Sequence, residues 1–447
     1  MKTKMHLAFD LSWTHVDGRW RTPGSWTGRL YPDFDVFKEV ASIAERGMID
    51  LIFFGDNAGV HNTWRGSADE AVRWGVGYPR LDMSPYIAVL AQQTKHVGFG
   101  LTYSSTYLPP YYVARLLNSL DHITNGRIAF NVVASTSRGG AANYGFDELM
   151  EHNSRYDRME EFIDICKALW ASAEPDAFIW DRKTGVVADP GKVREINHVG
   201  RFFSVKGPLQ CSPSPQGRPV LIQAGGSPRG INASAHFADY IFGAGKPLPL
   251  KVKHRRELDA ALTAEGRDPS QIGILWDIIL VVEETETEAK RRREHLLQSM
   301  PLEAVGAWIS GSAGYDFSKL PARFKLRELN EEIIASQASP VGFVHKMAFE
   351  VGEETEVTRE EFFERGRRAA TAYDHTIAGT AGQVADLLEE EFEATGSRGG
   401  FMIAHPISTP RDLLNVTDFL VPELQRRGRF RTAYEGNTLK ENLAIAA

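Results

Sequence analysis

The chain has 447 residues, 43% of them hydrophobic and 24% charged, so it can bury a large core. Its formal net charge is −7 and it carries no basic stripe, which argues against nucleic acid as a partner. Two cysteines, Cys166 and Cys211, make neither a disulfide framework nor a zinc site and fit a reducing cytoplasm. The N-terminal apolar run is too short for a signal peptide, and no stretch of about 18 apolar residues predicts a membrane span.

The first strand is expected over residues 5–11, running into a loop rich in Trp and Gly. Asp33 can N-cap a helix with apolar spacing at Phe37, Val40, Ile43 and Ala44, which Gly47 ends. A second strand at 51–55 places Asp56 at its C-terminal end. A helix over 84–95 and a strand over 97–103 follow, and Pro110 opens the next helix. That helix leads into the stretch the chain is organised around, SLDHITNGRIAFNVVAS at 119–135. Asn125 and Gly126 suit a tight turn, and the run from Ile128 to Ala134 is apolar except for Asn131. A strand apolar on both faces belongs in a parallel sheet covered on both sides, where a buried amide needs a partner or a ligand.

A helix is expected over 154–170, then an irregular insertion over 171–218. Strands at 219–224, 240–243 and 274–282 alternate with helices at 229–237, at 252–264 and from Thr285. Residues 299–368 break the alternation and read as a second insertion. A helix at 381–394, a strand at 400–404, a helix at 412–425 and a tail over about 428–447 complete the chain. Eight strands each followed by a helix, with no GxGxxG after the first, predict an α/β fold. The expected architecture is one (β/α)8 TIM-barrel domain with two insertions and a C-terminal extension.

Barrel sites lie at the C-terminal ends of the strands. There the sequence places His15, Asp56, His61, Thr102, Ser104, Ala134, Ser135, His152, Tyr156, Gly226 and Ser227, a mouth of hydroxyls, amides and aromatics. HExxH and GxSxG motifs are absent, and each histidine taken alone also reads as structural. Gly225-Gly226-Ser227-Pro228 exposes backbone N–H groups at a helix start, an anion seat that Tyr156 and a serine could complete. The same residues also read as a plain turn with Ser227 as N-cap.

The stretch STYLPPYYVARLLNSLDHITNGRIAFNVVAS resembles the signature of bacterial luciferase-like flavin monooxygenases. LIFFGD (51–56), HNSRYDRMEEF (152–162), LIQAGGSPRG (221–230) and the tail from Val421 are similar to the nitrilotriacetate, dibenzothiophene-sulfone and long-chain alkane monooxygenase branch. The resemblance implies a TIM barrel that takes reduced FMN (FMNH2) as a diffusible co-substrate from a separate NAD(P)H:flavin reductase. It also implies reaction with O2, a flavin hydroperoxide, insertion of one oxygen atom into a small organic substrate, and a homodimer or homotetramer. By position, Asp56 and Thr102 would face the flavin ring and ribityl region, with Ala134-Ser135 along the ring. Tyr156, Gly226 and Ser227 would hold the phosphate with His152 beside them, and His15 and His61 would face the substrate. Ala134 stands where the family commonly has Thr, Phe130 where it has Trp, and Asn125 where it has Gly. Gly379-Thr380-Ala381-Gly382 stands for Gly-Thr-Pro-Glu, and Gly399 for Asp. A deazaflavin (F420)-dependent oxidoreductase of the same superfamily and a non-catalytic flavin-binding protein are the alternative readings.

Overall fold

A computed structural model describes residues 2–12, 32–135, 138–245, 247–336, 342–403 and 410–444. Nine parallel strands form the main sheet. They are β1 (His6–Asp10), β2 (Leu51–Phe54), β3 (Gly98–Ser104), β4 (Ile128–Val133), β5 (Val220–Gln223), β6 (Tyr240–Gly243), β7 (Gly273–Val282), β8 (Thr376–Gly379) and β9 (Gly399–Ile403). Eight of them close a ring in the order β1-β2-β3-β4-β5-β6-β7-β9, with β9 returning to β1 in the register His6↔Gly400 to Phe9↔Ile403. The fold is a TIM barrel.

β8 is the strand the sequence did not predict. Its four residues, TIAG, are too few to show a period. It exists because β7 is ten residues long and outruns β9. Residues Ile274–Ile278 pair with β9, and Ile279–Val282 pair with β8.

Period-2 alternation sorts the side chains. Ala8, Leu51, Phe53, Ala129, Ile222, Tyr240, Leu275 and Met402 fill the barrel interior. Phe9, Ile52, Phe99, Phe130 and Trp276 point outward into the larger core beneath the helices. α1 (Phe34–Arg46) starts at the Asp33 cap, which accepts a hydrogen bond from the Asp35 N–H. α2 (Ser84–Leu90) stops five residues short of the predicted end. α3 (Pro110–Thr124) ends on Asn125 and Gly126, both at positive φ (55° and 80°), as the turn requires. Arg127 is buried just beyond, its guanidinium donating to carbonyls of Ala91, Thr94, Val97 and Thr124.

α4 (His152–Trp170) begins two residues earlier than expected because Glu151 caps the Ser154 N–H. Residues 171–218 are ordered by local pairing, including the antiparallel His198–Val199 and Ser204–Val205. α5 (Pro228–Phe237) carries Ser227 as N-cap. Residues 299–370 hold helices Leu302–Ala313, Leu326–Ala335, Gly342–Val351 and Arg359–Ala370 and an antiparallel pair of short strands, Arg323–Lys325 with Glu356–Thr358. They bury a second core of their own, which also takes in Trp64, Ala71 and Val76. The helix over 410–426 is broken by a π-turn, Val416–Leu420, just before Pro422, which lacks the N–H that a regular turn would use.

The tail closes the N-terminal end of the barrel. Leu439 and Leu443 join the interior cluster, and a Cβ on Gly98 would come within 2.5 Å of Leu439. Buried Arg431 donates to the Asp50 carboxylate and to the Asn442 carbonyl at 2.8 Å, while Tyr240 donates to the Leu443 carbonyl at 2.6 Å. Among the described residues no helix is long and apolar enough to cross a membrane.

Candidate active site

With its base filled, the barrel opens at the C-terminal ends of its strands. The wall made by β3 and β4 is polar. Thr102 and Asn131 are in register across the two strands and point inward, and the Asn131 amide donates to Thr102 Oγ1 at 3.0 Å. Above them Ser135 donates to Ser104 Oγ at 2.8 Å. Ala134 is half-buried against the outer core. Asn131 Oδ1 is buried and has no partner among the described residues.

The rim of β1 and β2 carries the charges. Ser12 N–H donates to buried Asp10 at 2.7 Å, and Gly55 N–H donates to Ser12 Oγ at 2.5 Å. Arg80 ties the rim together by donating to the carbonyls of Gly55 and Ser12, each at 3.1 Å. Its guanidinium lies 3.9 Å from Asp56. The surrounding walls desolvate the Asp56 carboxyl and raise its pKa against the pull of Arg80. His61 is half-buried, and both desolvation and Arg80 hold its pKa below the usual histidine value. Its imidazole packs on Gly311 of the helix Leu302–Ala313, at a spot where a Cβ would overlap the ring. Tyr103 donates to Asp82 at 3.1 Å behind this rim.

A third group forms at β5. α5 starts at Ser227, whose Oγ accepts from the Gly230 N–H at 3.1 Å. Gly225 and Gly230 approach so closely that a Cβ on Gly230 would lie 2.9 Å from Gly225 Cα and 3.1 Å from Tyr156 Oη. Tyr156 thus stands over the first turn of α5, and the His152 ring sits 5.1 Å from the Tyr156 ring. Gly226 is exposed, which leaves its backbone open at a helix N-terminus. Arg229 is taken up by Asp157 and Glu160, at 2.9 and 2.5 Å.

The structure therefore gathers the expected residues into three neighbouring groups. Asp56 and His61 share Arg80. Thr102 and Ser135 lie on one wall, while the side chain of Ala134 packs against the outer core. His152, Tyr156, Gly226 and Ser227 surround one helix start. His15 lies outside the described residues. The sequence reading missed Arg80, which sits in a loop without a motif, and Asp277. Asp277 points into the barrel from β7, with Oδ1 buried and unpartnered among the described residues. Desolvation first, and Asp10 second, push its pKa up to about 7, against Lys251 and the Gly245 N–H. Its signal was the one that flagged Asn131, a polar residue inside an apolar strand.

The luciferase-like monooxygenase profile matches residues 14–399. The chain belongs to the luciferase-like monooxygenase family. It is 35% identical to the dibenzothiophene-sulfone monooxygenase of Rhodococcus erythropolis (strain XP), over 99% of this chain and 97% of that one. The crystal structure of a long-chain alkane monooxygenase superposes with a TM-score of 0.87 at 33% identity, covering 99% of this chain and 96% of the other. A riboflavin lyase structure with modified FMN and riboflavin gives 0.86 at 29% identity, covering 98% and 95%. This luciferase-like chain is a flavin-dependent monooxygenase, an oxidoreductase.

Proposed function

We propose that the protein is the oxygenase component of a two-component system that takes FMNH2 from a separate NAD(P)H:flavin reductase and works as a homodimer or homotetramer. The observation that carries this reading is the meeting of two features in one mouth. A hydrogen-bonding wall on β3 and β4 adjoins a glycine-lined helix N-terminus on β5. Together they suit a ligand with a planar polar head and a phosphate end.

Tyr156, Ser227 and the Gly226 backbone would hold the phosphate, with His152 at its edge. Thr102, Ala134, Ser135 and Asp56 would hold the ring and ribityl region. When bound, reduced flavin supplies the two electrons with which O2 yields one oxygen atom for the substrate and one for water. Arg80 ties the β1–β2 rim together, and desolvation first and Arg80 second lower the His61 pKa, which favours the neutral imidazole that can accept a hydrogen bond from a substrate. The segment 299–370 packs Gly311 on His61 and so roofs the substrate side, excluding water from it.

An anaerobic titration with photoreduced FMN tests the reading directly. Tight binding followed by oxygenation of a member of a sulfone, alkane and aminopolycarboxylate panel is the expected result. Failure to bind FMNH2 defeats it. A His61→Ala variant is expected to lose oxygenation while keeping its flavin affinity. Equal loss of both would move His61 onto the flavin.

A further inference from the structure

Residues 172–194 of the first insertion form an antiparallel hairpin. The Ile179 N–H donates to the Val187 carbonyl at 2.8 Å, the Asp181 N–H to the Val186 carbonyl at 2.9 Å and the Asp189 N–H to the Ala177 carbonyl at 2.8 Å. The tip of this ribbon is apolar and stands in water. Trp180 is 67% exposed and Ile179 53%, with Val186 and Val187 close to half. None of the four joins any of the protein's three apolar clusters. The N–H groups of Ile179 and Trp180 share the Val187 carbonyl, which makes a bulge. Trp180 sits there at φ +52°, in the left-handed region that a tryptophan rarely adopts, and its ring stacks on Phe178 with centroids 6.1 Å apart. The chain thus accepts a strained backbone to hold a large ring in solvent, at the end of a two-strand ribbon that is marginal alone. An apolar patch kept in that way marks a contact with another molecule.

Charge says which molecule. Arg182 and Lys183 at the tip are exposed and have no ion-pair partner among the described residues. Further down the ribbon, Asp189 accepts the Gly191 N–H and likewise has no cationic partner among the described residues. Glu174 and Asp176 at the base are taken up by Arg194 and Lys192. The ribbon is therefore positive at its tip and carries a spare carboxylate toward its base, with the apolar residues between. Two such ribbons laid antiparallel about a two-fold axis put each tip beside the other's Asp189, and the apolar side chains against their own copies. Those side chains expose on the order of 400–500 Å² per copy, so the pairing buries about 1,000 Å² in all, which is what a specific interface needs. We propose that a second copy of this chain covers the hairpin tip, through a two-fold pairing of residues 179–189. The inference rests on the homo-oligomer in the reading above and names a surface that builds it.

Sedimentation velocity of the whole protein tests it, with far-UV circular dichroism to check that each variant is folded. Wild type should sediment as a dimer or tetramer. Trp180→Gly removes the ring and suits the left-handed backbone, and a second variant adds Val187→Asp. Both should stay folded and fall to the half-sized species, with the dissociation constant of that contact raised at least about thirtyfold. Arg182→Glu with Lys183→Glu should weaken the contact as well. Adding Asp189→Lys should restore it, because a two-fold pairing exchanges both charges at once. Variants that assemble like wild type overturn the inference and leave the oligomer reading standing; the tip then falls to another partner, such as the flavin reductase. Failure of Asp189→Lys to restore assembly overturns the two-fold pairing. A monomeric wild type overturns both the inference and the oligomer reading.

Discussion

Asp277 carries its carboxyl inside the barrel with Asp10 nearby, and burial raises its pKa to about 7. The sign of the consequence follows from linkage. Between about pH 4 and 7 the folded protein holds this proton and the unfolded chain does not, so the group's contribution to stability falls as pH rises, by about 1.4 kcal/mol per pH unit. Asp277→Asn should remove that slope, and denaturant unfolding at pH 5 and 8 should show the variant gaining on wild type at the higher pH. At the phosphate end, Ser227→Ala combined with Tyr156→Phe should weaken FMNH2 binding by roughly 1–3 kcal/mol, as measured by anaerobic titration. Unchanged affinity would take both residues out of the anion seat.

At the scale of elements, β9 fits between β1 and β7 only because its first residues lack side chains. A Cβ on Gly400 would overlap the His6 carbonyl, and one on Gly399, whose φ is +95°, would overlap the Ile274 carbonyl. Gly400→Ala should therefore cost at least about 3 kcal/mol in denaturant unfolding, the upper end of ordinary overpacking, since the obstructing atoms are backbone. This glycine pair also shows where sequence reading reached and where it stopped. Local signals were legible: the Asp33 cap, the turn at Asn125 and Gly126, and the Ser227 cap each depend on a few adjacent residues. β8 was not legible, because TIAG becomes a strand only through the spare length of β7. Arg80 was not legible for a related reason. Its partners, the carbonyls of Ser12 and Gly55, lie just past β1 and β2, far off in sequence, and a backbone carbonyl leaves no mark in a sequence. Asn131 was visible as a polar break in an apolar run, but its unpaired oxygen required coordinates.

At the scale of the molecule, two cores divide the work. The outer faces of the strands and the helices share one, beside the smaller cluster inside the barrel, and residues 299–370 with the 64–76 segment make another. His61, beside the β2 rim, packs against Gly311 of the second core's helix Leu302–Ala313. The opposite end is sealed by the tail. Leu439→Ala should leave a cavity at the base and cost about 2–5 kcal/mol in urea unfolding, while flavin affinity at the far end stays unchanged. A matching loss of affinity would show that the base and the mouth are mechanically coupled.

The tail also sets an order of manufacture. His6, Asp50, Gly98 and Tyr240 are made long before Arg431, Leu439 and Leu443. On the ribosome every strand is synthesised before the floor that rests against it. A message cut short after β9 would yield a ring of strands with an uncovered carboxylate at Asp50 and an open apolar well behind it. Such a product exposes to proteases and chaperones what the finished protein hides, and so marks itself for removal instead of accumulating as a half-working enzyme.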